Sequence, residues 1–94
     1  MDETNQLEYE QQRGAEAKQI LDNPVFKHAL QKMYDELEAK ALTTPSTDAD
    51  TCSDIIRCKQ LMKSLERIFI NYMETGKMAS MVLEKSQKKP DKYT

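Results

Sequence analysis

His28, Cys52 and Cys58 are the side chains of this 94-residue chain most able to do covalent or metal chemistry. Their spacing suits neither. A nucleophile needs a base within hydrogen-bond reach, and His28 has no acid or nucleophile at a recognisable spacing and no Gly-rich neighbour. Cys52 and Cys58 lie six residues apart on one expected helix. Their directions therefore differ by roughly 240° at 3.6 residues per turn, so they cannot readily bond to each other. They are not a CxxC pair, and the histidine sits on a different segment. They read as small buried or half-buried thiols in a reducing compartment, and His28 as a surface or packing residue. Asp35, Glu36 and Glu38 fan out around a helix with no loop to gather them on a cation, which makes them a solvated face. No enzymatic activity, cofactor or metal site is expected.

Basic residues offer a different chemistry, phosphate contact. Arg57, Lys59, Lys63 and Arg67 fall on one predicted helix, and Lys85, Lys88, Lys89 and Lys92 fall in the last ten residues. The isoelectric point is nonetheless about 5.4. No helix-turn-helix pattern is visible, and aromatic residues are not interleaved with the bases. Nucleic-acid binding is thus not favoured; its route would be non-specific phosphate contact through the tail.

The element that must position these groups is a helix seam. Ile55, Cys58, Met62, Leu65, Phe69 and Tyr72 are separated by 3, 4, 3, 4 and 3 residues, the spacing of a helix that packs on another helix. It predicts a long helix over 48–75, with Ser46 or Thr47 as its cap, acids Asp48, Asp50 and Asp54 at its positive end, and Gly76 as a left-handed C-terminal cap. A short helix over 77–86 follows, carrying Met78, Met81, Val82 and Leu83. Pro90 ends helix formation.

Upstream, Asn23 before Pro24 marks a helix start, since Asn caps free amides and Pro fits the first helical position. Phe26, Leu30, Met33 and Leu37 recur at 4, 3 and 4 along a helix over 24–42, widened by Val25, Ala29, Tyr34 and Ala41. Glu36 and Lys40 form an i, i+4 pair in the favourable order. Thr43 to Thr47, with Pro45, read as a short connection. A weaker stripe, Leu7, Tyr9, Ala15, Ala17, Ile20 and Leu21, makes a first helix over 6–22. It is interrupted by Gly14, which costs about 1 kcal/mol against Ala inside a helix. Residues 1–5 carry nothing to pack and read as disordered, and 85–94 as a basic flexible tail.

The expected fold is all-α: an antiparallel helical hairpin with an additional N-terminal helix and a short C-terminal helical extension, one domain over 6–84. Its expected interior and self-association surface is Phe26, Leu30, Met33, Leu37, Ile55, Met62, Leu65, Phe69 and Tyr72. A chain with 38% hydrophobic and 32% charged residues buries little apolar area in such a hairpin, so it is marginal as a monomer. Homo-oligomerisation would supply the missing burial. Met78, Met81 and Leu83 form an apolar cluster that can dock on a partner. Charge is divided: residues 1–50 hold 11 acids and 5 bases, residues 51–94 hold 5 acids and 9 bases. That asymmetry can orient contacts within or between copies. No segment approaches the roughly 20 apolar residues of a membrane span. The start, Met-Asp-Glu-Thr-Asn-Gln, lacks the regions of a signal peptide, so a cytoplasmic protein without membrane contact is expected.

Taken whole, Ile20 to Leu83 reads ILDNPVFKHAL, a Thr/Pro/Asp turn, a long helix, then METGKMA. It resembles small helical accessory proteins of tailed bacteriophages, in which an NP-aromatic helix start, a TP connection and a TGK-apolar-A helix end recur in that order. The resemblance covers about two-thirds of the chain and rests on helix punctuation; the cysteines and basic tail lie outside it. It implies a virus-encoded accessory or structural protein without enzymatic activity, acting in virion assembly or packaging through contacts with another virion protein. Its location would be the host cytoplasm or the virion. The alternative is a small host-directed inhibitor or regulator that binds a host protein or signalling ligand, for which small size and divided charge are also suited.

Overall fold

Residues 3–88 are described by the computed structural model. Three helices follow in order, α1 (Glu3–Asp22), α2 (Pro24–Thr43) and α3 (Ala49–Lys88), with no strand among the described residues.

The α1 to α2 junction is the single residue Asn23. Its backbone is extended, and its Oδ1 accepts from the amides of Val25 at 2.9 Å and Phe26 at 3.1 Å. Pro24, which has no amide to satisfy, takes the first helical position. At the other end of α2 the threonine hydroxyls close the helix: Thr44 Oγ1 donates to the Lys40 carbonyl at 2.6 Å and Thr43 Oγ1 to the same oxygen at 3.2 Å. A turn follows, in which the Asp48 amide donates to Pro45 O at 3.0 Å. Asp48, one residue beyond the expected caps Ser46 and Thr47, is the residue that caps α3. Its Oδ1 accepts from the Thr51 amide at 3.1 Å, while its carbonyl takes the first helical bond from Cys52.

The expected break at Gly76 is absent. α3 runs unbroken for 40 residues, and no glycine has a positive φ, so Gly76 is not a C-cap and the separate helix over 77–86 belongs to α3. The reason is packing: Gly76 lies buried against α1. Helix also extends over Glu3, Thr4 and Asn5, where disorder was expected, with Glu3 placed favourably in the first turn of α1. At the other end Lys85 to Lys88 are helical, and the rest of the expected tail, including Lys89 and Lys92, lies outside the described residues.

The chain divides into two compact units. The first pairs α1, up to Ile20, with α3 from Ile68 onward. Gln11 meets Ser80 and Gly14 meets Gly76, so the two helices run in opposite directions. Small residues form its interior: Gly14, Ala17, Gly76 and Ala79 are buried, with Ala17 only 3% and Ala79 only 2% exposed.

The second unit, Leu21–Arg67, holds α2, the connection and the first part of α3. Ile55 and Met62 are its buried side chains, each worth roughly 1.5–3 kcal/mol when fully removed from water. Tyr34 Oη donates to Glu66 Oε1 at 2.5 Å, and Lys59 Nζ meets Glu38 Oε2 at 3.3 Å. The ion pair is largely solvated and adds little. The expected interior is corrected here. Phe26, Leu30 and Leu37 are half-buried, as are Phe69 and Tyr72 in the first unit, while Met33 is 51% and Leu65 45% exposed. Two helices share only one strip of surface, and positions at its edge stay in water.

Candidate functional site

Two grooves and one cation–aromatic cluster stand out among the described residues. In the first unit the cluster begins with the glycines. A Cβ built on Gly14 would stand 2.7 Å from Tyr72 O and 2.9 Å from the Gly76 Cα. One built on Gly76 would stand 2.9 Å from Glu10 O. These distances are shorter than a side chain tolerates, so the backbones approach this closely only because both positions are glycine. The approach brings Arg13 across α3: its guanidinium carbon lies 4.2 Å from the Tyr72 ring centre and 5.5 Å from that of Tyr9. Arg13 Nε is shielded from solvent with no hydrogen-bond partner, so the aromatic faces are what stabilise this end of the cation. Gln11 Nε2 donates to Ser80 Oγ at 2.8 Å and ties the same two helices.

Beside this crossing lies an open groove of about 550 Å³, with Ala15 and Lys18 of α1 on one wall and Ile70, Met73, Glu74 and Lys77 of α3 on the other. In the second unit a groove of about 380 Å³ is lined by Met33, Leu37, Cys58, Leu61 and Met62, with Glu36 and Lys40 at its edge. Such a surface can bury apolar side chains of a partner and fix their register with a few charges.

The sequence-selected groups are scattered. His28 is exposed on α2. Cys58 is exposed, whereas Cys52 is half-buried with its Sγ 3.8 Å from the Pro45 carbonyl. Among the described residues no three His, Cys, Asp or Glu side chains gather to hold a metal ion. Of the acidic run, Asp35 accepts from Gln31 at 2.9 Å and Glu38 pairs with Lys59. Met78 and Met81 are exposed and Leu83 is half-buried. Lys85 is exposed, and the side chains of Lys88, Lys89 and Lys92 lie outside the described residues.

The titrations of Asp48 and Tyr34 are shifted. Hydrogen bonds from Thr51, side chain first and backbone next, hold the Asp48 carboxyl below its ordinary range, with Lys40 adding a smaller attraction. The hydrogen bond to Glu66 pushes the Tyr34 hydroxyl above its ordinary 10.0, with desolvation and the charge of Glu66 adding to it.

The glycine crossing was missed by reasoning along the chain, although its signal was present. Gly14 with Ala17, and Gly76 with Ala79, repeat one small-residue spacing on two different helices.

The site and fold define an all-α chain with open apolar grooves. It matches no family model, and no curated protein or solved structure is significantly similar to it. Among the described residues no helix is long and apolar enough to cross a membrane.

Proposed function

We propose that this chain works through protein–protein contact, as a self-associating, non-enzymatic accessory or structural protein of phage type that acts in virion assembly or packaging. The observation that carries the contact role is the imbalance of its apolar residues. Ala17, Ile55, Met62 and Ala79 form the buried core, while thirteen large apolar side chains are exposed among the described residues. Scattered single exposures are ordinary; of these, Ile70 lines the first groove and Met33 and Leu61 the second, where a partner can cover them. In this reading α2 and the first part of α3 act as an antiparallel hairpin, supported by the Tyr34 to Glu66 and Glu38 to Lys59 contacts. The assembly role follows from the resemblance of the NP, TP and TGK punctuation to tailed-phage accessory proteins.

Quantitative mass spectrometry of purified particles and assembly intermediates tests the role. The expected result is a fixed stoichiometry with a structural protein of the particle. Absence from both, with a host protein as the main species captured from infected cells, would overturn it in favour of a host-directed regulator.

A further inference from the structure

We infer that the groove of the second unit receives a second copy of this chain, in an isologous contact that sets Glu36 of each copy against Lys40 of the other. The inference deepens the self-association reading and rests on it.

The heptad seam of α3 is split lengthwise. Ile55 and Met62, one heptad apart, are buried, whereas Cys58 and Leu65, also one heptad apart, are exposed. The intrachain contact thus covers one edge of a seam whose other edge still has coiled-coil spacing. Leu61, 70% exposed, widens that edge, and across the groove stand Met33 and Leu37 of α2.

Charge selects the occupant. Glu36 and Lys40, one helical turn apart, both line the groove and form no salt bridge with each other or with any described residue, Lys40 making only a weak attraction to Asp48. An acid and a base in that order are complementary to the same pair running in the opposite direction. A two-fold axis supplies that arrangement, because residue i then meets j and j meets i. A uniformly charged partner, such as a phosphate backbone, would satisfy one and repel the other.

Sedimentation equilibrium on the full chain tests this, with circular dichroism as the check on folding. The wild-type chain should associate, and Leu61→Glu should weaken association ~30-fold, the scale of a hot-spot loss. Glu36→Lys and Lys40→Glu should each weaken it, since each homodimer then carries two like-charge contacts. An equimolar mixture of those two variants should recover wild-type association, because every contact across the mixed dimer is again opposite in sign. A wild-type chain that stays monomeric overturns self-association as a whole. A wild-type oligomer left unchanged by Leu61→Glu, or a mixture no tighter than either variant, overturns this groove while self-association stands. Should Leu61→Glu fail to fold, the mixture experiment decides alone, since both its sites are exposed.

Discussion

Gly14 and Gly76 are reciprocal: a Cβ on either one would lie 2.9 Å from the Cα of the other. The first unit is therefore built on two residues that each disfavour a helix and together permit its closest contact. Helix propensity alone says that Ala at either site stabilises by about 1 kcal/mol. Overpacking against backbone costs about 1–3 kcal/mol and opposes it.

Gly14→Ala and Gly76→Ala are each expected to lower the melting temperature despite the better helix former. The double variant should cost less than the two losses added, because the first substitution already parts the helices. Thermal melts followed by circular dichroism check this, and a rise in either single variant would show that the contact is not made.

Tyr72→Leu should destabilise by about 0.5–2 kcal/mol more in the presence of Arg13 than in an Arg13→Met background, since the cation–aromatic term needs both. Tyr72→Phe keeps the ring face and should be close to neutral. A double-mutant cycle by urea unfolding measures the coupling.

Asn23→Ala should cost about 1 kcal/mol through the loss of two capped amides, whereas Asn23→Asp should be tolerated. Chemical denaturation compares the two. Equal losses would mean that an acceptor oxygen at this position is not what stabilises the start of α2.

Acid should weaken the start of α3. The depressed Asp48 carboxyl means that the folded chain prefers the carboxylate. Its contribution is complete above the unfolded value of 3.8 and is lost as pH falls through the lower folded value. Asp48→Asn, still a good cap, should flatten the dependence of the melting temperature on pH below about 4. An acid limb unchanged in Asp48→Asn would assign that titration to other carboxylates.

Alkali should act on Tyr34 in the opposite sense. Its raised value makes its contribution complete below 10.0 and lost as pH rises through the folded value. Phenolate absorbance should show a late step from Tyr34. That late step should be missing from Tyr34→Phe, whose alkaline limb of stability should be flatter.

Much of this was legible along the chain because the signals are local. The Asn23 cap acts on amides two and three residues ahead, and the Thr44 and Pro45 connection closes within one turn. The candidate surfaces were legible only in part. The seam spacing placed Ile55, Met62 and Leu65 on one side of a helix, but which edge is covered depends on where α2 lies. That is why Leu65, expected inside, stands at the exposed edge.

By itself the sequence determined a chain of helices, the Asn23 boundary, the connection over Thr43 to Thr47 and an apolar seam on the long helix. Each of these follows from bonds and periodicities spanning a few residues. The tertiary structure decided that Gly76 continues a helix it was expected to end, that Arg13 finds Tyr72, and that the seam divides into a buried and an open edge. A glycine ends a helix or lets another helix approach, and its neighbours along the chain do not distinguish the two. The choice falls to Gly14, distant in sequence, whose missing side chain makes the close approach more favourable than a turn.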